Sequence, residues 1–171
     1  MPDLPLPRAS LLAPQRDRLA AAWLSRTLLT YPEATARFLE QERDPFRNPV
    51  GQALAAGLAA LLDELLGEMD PGRLVAALDP IVRMRAVQAF TARQAVGFVF
   101  LLKPLLRRAC QAQGCADALP ALEARVDETA LLAFDLYTAC RERVQELRAG
   151  EARRRQWLAA RTGHPAGGDG A

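Results

Sequence analysis

Residues 78–108 read LDPIVRMRAVQAFTARQAVGFVFLLKPLLRR, a stretch that sets Arg83, Arg85, Gln88 and Lys103 among apolar neighbours. On a helical wheel the apolar residues around Ile81, Val82, Met84, Val87 and Phe90 cover nearly the whole circumference, as in a helix that lies in an interior or an interface. Arg85 and Gln88, three apart, point the same way, while Arg83 follows Asp79 by four, a spacing suited to a surface ion pair worth a few tenths of a kcal/mol. Lys103 follows the apolar run AVGFVFLL of residues 95–102, and its wheel position puts it near Val96 and Val99 with Arg107 adjacent. Two uses fit these cations. Their stems can lie along apolar surface with the heads reaching water. Alternatively they line a partly buried cationic pocket for a small anionic ligand or a partner's carboxylate, which the fixed guanidinium fork suits. An arginine head buried without a partner is costly, so such a pocket has to supply an acid or a ligand.

Catalytic chemistry finds little support in the residue types. No nucleophile–base pair and no glycine-rich phosphate loop accompanies Lys103. Cys110, Cys115 and Cys140 are an odd number and lack the spacing of a zinc site or a redox pair. The single histidine, His164, falls in the tail GHPAGGDGA, which leaves the body without an imidazole for haem iron. We expect no metal, no cofactor and no enzymatic activity. A formal net charge of +2 is too small for a nucleic-acid footprint. Arg153, Arg154 and Arg155 have Glu146 and Glu151 as neighbours and read as a solvated helix face.

The elements that must position these residues are helical. Half of the 171 residues are hydrophobic and only 6% aromatic, the apolar mass being Leu, Ala and Val, and no alternating strand pattern occurs. The expected fold class is all-α, a single globular helical domain of about six to eight helices with a long C-terminal helix. A first helix should begin near Pro14 and stop at Tyr31-Pro32, followed by a short one that turns Phe38 and Leu39 inward. Asn48 sits where an N-cap belongs, before Pro49 at the first position of a helix that Gly67 ends; Gly51 and Gly57 within it suit close helix packing. Asp70-Pro71 and Asp79-Pro80 repeat a cap-and-proline signal, which predicts one helix over 71–78 and another over 80–89, or else a single helix kinked at Pro80. Thr91 and Gln94 form a capping box for a helix that should reach Gln113, be kinked or locally rearranged at Pro104 and end at Gly114. The longest helix should span about 117–147, with a break at Gly150. Residues 1–13 read as a flexible arm, 14–149 as the helical domain and 150–171 as a charged helical extension with a flexible tail. With no signal-peptide core and no apolar run of about 20 residues, the expected setting is cytoplasmic, without a membrane span and with reduced thiols.

Three segments together resemble a known family. Asp44-Pro45-Phe46-Arg47-Asn48-Pro49-Val50-Gly51 resembles the D-R-F-x-N-P-V-G segment of the RsbRD N-terminal domain, the family named for RsbT co-antagonist proteins of bacterial stress signalling. Residues 78–88, LDPIVRMRAVQ, are similar to its L-D-x-I-V-R-I-R-A-V-Q segment, and residues 91–103, TARQAVGFVFLLK, to the S-x-A-V-x-F-I-x-x-L-K helix that follows. Trp23 and Tyr31-Pro32 fit its opening W…YP pattern, so the likeness covers about residues 15–110. The resemblance implies an all-α sensory input domain related to the haem-free, globin-like domains of stressosome proteins, which form homodimers and signal to an attached STAS domain. No STAS sequence follows here, so the expectation is a stand-alone member. The function expected is that of a non-enzymatic bacterial sensor or adaptor acting through protein–protein contact, with a small anionic ligand as an additional input. The alternative is an accessory or assembly factor for a redox enzyme complex, since some family members resemble proteins encoded beside sulfur-respiration genes. The residues expected to bind the ligand or partner, or to brace the core, are Phe46, Asn48, Arg83, Arg85, Gln88 and Lys103.

Overall fold

Local capping signals set most helix starts. The computed structural model describes residues 9–42, 44, 46–88 and 90–162. Most of the expected arm, Pro45, Ala89 and the tail with His164 therefore lie outside the described residues. A 3-10 turn, Ala9–Gln15, contains Pro14 and leads into α1, Arg16–Leu28; α2 is Glu33–Gln41 and α3 Pro49–Leu66. Then come α4, Pro71–Val87, α5, Ala92–Val96, a 3-10 turn, Val99–Leu102, and α6, Lys103–Gln113. A last 3-10 turn, Ala116–Ala118, precedes α7, Leu119–Thr162. The described residues are all-α.

The caps follow the sequence. Asn48 Oδ1 accepts the Gly51 N–H at 2.8 Å with Pro49 in the first turn of α3, Asp70 Oδ1 accepts the Arg73 N–H at 2.8 Å, and Thr91 with Gln94 completes the capping box of α5. Gly114 closes α6 in the left-handed region at φ 67°.

Helices α3 and α4 run antiparallel, with Glu64 against Arg73 at one end and Gly57 against Ile81 further along. A Cβ on Gly57 would stand 2.8 Å from Ile81 Cδ1, so the glycine marks a close approach of the two helices. By length and apolar composition α3 could cross a membrane, yet Leu54, Leu58, Leu61, Leu62 and Leu65 are buried against the rest of the domain. Helix α7 packs on α4, and its Leu122, Val126, Ala130, Ala133 and Tyr137 form one buried stripe at helical spacing. Trp23 of α1 is fully buried, and its Nε1–H donates to the Phe98 carbonyl at 2.8 Å.

Four sequence expectations need correction. Residues 71–87 form not two helices but one through Pro80, the second of the two readings, so Asp79 caps nothing and instead pairs with Arg83 at 2.7 Å. Burial explains this: Leu74, Ala77, Leu78, Ile81, Val82, Arg85 and Ala86 lie in the core on both sides of the proline, outweighing its cost of about 3 kcal/mol. The expected helix over 91–113 is not continuous: of the kink or local rearrangement expected at Pro104, the rearrangement forms. Pro104 has no N–H for the Phe100 carbonyl, which accepts from Lys103 instead, and the Leu101 N–H closes a turn onto the Phe98 carbonyl that Trp23 also reaches, so the chain tightens to 3-10 geometry over Val99–Leu102 before α6 begins. Gly150 does not break α7. Phe38, finally, is 48% exposed, whereas its neighbour Leu39 is buried.

Candidate functional site

Arg85 is the chemically unusual residue of the interior. It belongs to the buried face of α4 and has no exposed surface. Its Nη1 donates to the Gln94 carbonyl at 2.9 Å, and its Nη2 to Thr30 Oγ1 at 3.0 Å. The Thr30 hydroxyl donates onward to the Thr27 carbonyl at 2.7 Å. Three rings surround the guanidinium carbon: Tyr31 at 4.8 Å, Phe98 at 4.9 Å and Phe90 at 5.3 Å from ring centre. Such ring faces attract a cation, most strongly when water is excluded. Tyr31 and Phe90 also meet edge to face, with centroids 5.3 Å apart.

The site is incompletely satisfied. Arg85 Nε, the Tyr31 hydroxyl and Thr27 Oγ1 are buried without a hydrogen-bond partner. No carboxylate among the described residues forms an ion pair with Arg85. Burial accordingly holds the guanidinium below the usual arginine range, and burial likewise pushes the Tyr31 hydroxyl up against the opposing influence of Arg85. Local structure assembles the cage: Tyr31 and Thr30 come from the turn after α1, Gln94 from the capping box, and Phe98 from the interrupted segment that Trp23 holds. The arrangement holds a desolvated cation among aromatic rings and neutral acceptors.

The other sequence-predicted residues do not converge on Arg85. Asn48 is buried, and besides its cap it donates from Nδ2 to the carbonyls of Leu39 at 2.9 Å and Glu42 at 2.8 Å, tying the end of α2 to the start of α3. Phe46 is 96% exposed, its N–H donating to Asp44 Oδ1. Arg83 lies on the surface beside a groove of about 320 Å³ between α4 and α7, with Cys140, Arg143 and Glu146. Gln88 is exposed just past the end of α4. Lys103 pairs with Asp127 at 2.7 Å, joining α6 to α7, and lies 5.7 Å from the centre of the Phe100 ring. Sequence reasoning missed Thr30, Tyr31, Phe90 and Phe98 as neighbours of Arg85. Their signal is faint: Tyr31 stands at a helix stop and Phe98 in an apolar run, and only tertiary folding brings them together.

No match to the chain is found among curated proteins or among solved structures. The family model described as the RsbT co-antagonist protein rsbRD N-terminal domain matches residues 17–154, a span holding Arg85, all its ring partners and most of α7. The chain belongs to the RsbRD N-terminal domain family.

Proposed function

We propose that this chain is a non-enzymatic signalling input domain: a cytoplasmic, homodimeric helical sensor or adaptor that acts through protein contact. Family membership supports the signalling role. The observation that carries the finer reading is Arg85, a fully buried guanidinium with two neutral acceptors, three aromatic neighbours and an unused Nε–H. A buried charge without a countercharge is costly to the fold. A small anion reaching it would recover part of that cost and bias the turn after α1 together with α5. Differential affinity of that kind shifts a conformational equilibrium. Asn48 and Lys103 serve in this reading as braces, through their bonds to α2 and α7. Phe46 remains available on the surface for a partner.

Thermal unfolding in acetate, nitrate and phosphate, each against chloride at equal ionic strength, tests the ligand reading. Saturation to roughly 100 times Kd should stabilise the wild-type chain by about 2.7 kcal/mol. Arg85→Met keeps the volume and removes the charge; it should fold, with stability equal to or above the wild type, and lose the anion-dependent increment. Equal responses in both chains, or none in either, would sink the ligand.

A further inference from the structure

Arg141 donates from its guanidinium to the Ala86 carbonyl at 3.2 Å, and Arg143 and Glu146 border the groove beside Arg83; from Leu147 to Leu158 every residue of α7 except half-buried Gly150 is exposed. Residues 145–162 extend about 27 Å at 1.5 Å per residue. A helix of this length is marginal by itself in water. Its residues repeat with a seven-residue period: Val144, Leu147, Glu151, Arg154, Leu158 and Arg161 alternate in steps of three and four and form one stripe. Leu147 is 65% exposed, Leu158 49% and Trp157, beside the stripe, 56%. Gly150 sits in open space, where an added Cβ would meet nothing within 4 Å. Helical backbone at that position gives no conformational reason for glycine, which is a poor helix former.

We propose that this exposed end of α7 is the surface on which a second copy of the chain docks, antiparallel, about a twofold axis between residues 152 and 153. The inference rests on the homodimer reading above and specifies its interface. Charge order fixes the direction. In a parallel pair Glu151 would face Glu151 and Arg154 would face Arg154 at the seam. In the antiparallel register Glu151 of each copy faces Arg154 of the other, and Leu147 faces Leu158. Val144 meets the aliphatic stem of Arg161, whose guanidinium already lies 4.5 Å from the Trp157 ring centre. Trp157 falls opposite Gly150 of the other copy, and the missing side chain leaves room for the indole. This register also sets Arg148 beside Arg155 of the other copy, a repulsion moderated by Glu151, which lies 3.8 Å from Arg155 in its own chain. The seam holds few large apolar residues, so the dimer belongs among small, reversible interfaces.

Sedimentation of the full chain over a concentration series tests this. The wild type should show a monomer–dimer equilibrium. Glu151→Arg and Arg154→Glu should each weaken it by about tenfold or more. The double swap E151R/R154E should restore it, because the opposed charges have merely changed places. Only an antiparallel seam predicts rescue, since a parallel pair keeps like charges facing after the double swap. Leu158→Gln should weaken the dimer, and circular dichroism should show the folded body unchanged in every variant. A dimer that ignores the single substitutions, or is not rescued by the double swap, overturns this interface and leaves the homodimer reading standing. A chain monomeric at the highest soluble concentration overturns both.

Discussion

Asn48 shows how much one side chain can hold when each of its polar atoms has a partner. Its oxygen caps α3, and its nitrogen satisfies two carbonyls at the end of α2. Asn48→Ala should destabilise the domain by on the order of 3 kcal/mol, adding a lost cap to carbonyls left without their donor. Asn48→Asp keeps the capping acceptor but sets a carboxylate against the same carbonyls, so urea titration should find it no more stable than the alanine variant. A loss under about 0.5 kcal/mol for both would show that the side chain does not hold the two helices together. The cap itself was legible from Asn48-Pro49, because it is a bond across three residues. The bonds back to Leu39 and Glu42 were not, since they depend on the path of the intervening loop. Arg85 divides in the same way: its place on an apolar helix was readable, but its neighbours come from segments up to 55 residues away.

At the level of elements, Pro80 is the informative residue. It lies exposed within α4, beside Ala76, on the wall of a groove of about 520 Å³ between α3 and α4. Pro80→Ala restores an N–H able to reach the Ala76 carbonyl, while giving the unfolded chain more freedom. The two effects are about 3 and 0.4–1 kcal/mol. A net gain of about 2 kcal/mol is expected, read as a higher urea midpoint with an unchanged slope. Destabilisation would mean that the ring has a packing role in the groove that its exposure conceals. The sequence signal at Asp79-Pro80 equalled that at Asp70-Pro71, and only one of the two starts a helix. Asp70 follows a loop, whereas Asp79 lies between Leu78 and Ile81, both fully buried on the face that α3 and α7 cover. Propensity lost to packing there.

For the molecule as a whole, the cysteines report how tightly the body is closed. Cys110 and Cys115 are fully buried at the end of α6, where the Cys115 N–H donates to the Cys110 carbonyl at 3.0 Å, while Cys140 is half-buried on α7. Burial first, and then the neighbouring Cys115, pushes the Cys110 thiol up from about 9 to about 12. The native state therefore keeps a proton that the unfolded chain gives up. This contribution to stability is intact below about pH 9 and declines as pH rises toward 12. Urea unfolding at about pH 7.5 and 10.5 should show a loss with alkalinity that is smaller in Cys110→Ala; equal losses would contradict the shift. A thiol reagent should modify Cys140 readily and reach Cys110 and Cys115 only at the rate of opening.

The sequence by itself determined the all-α class, the caps at Asn48, Asp70 and Thr91, the stop at Gly114 and the family. These rest on periodicity and on hydrogen bonds between residues a few positions apart, and each is complete within its own segment. Tertiary structure alone decided that α4 continues through Pro80, that residues 97–102 interrupt the next helix, and that α7 passes Gly150. It also decided that Arg85 is enclosed by Tyr31, Phe90 and Phe98, while Arg83, Gln88 and Lys103 turn elsewhere. Those outcomes depend on which distant surfaces bury one another, and burial over a whole helix face outweighs the local preference of any one residue.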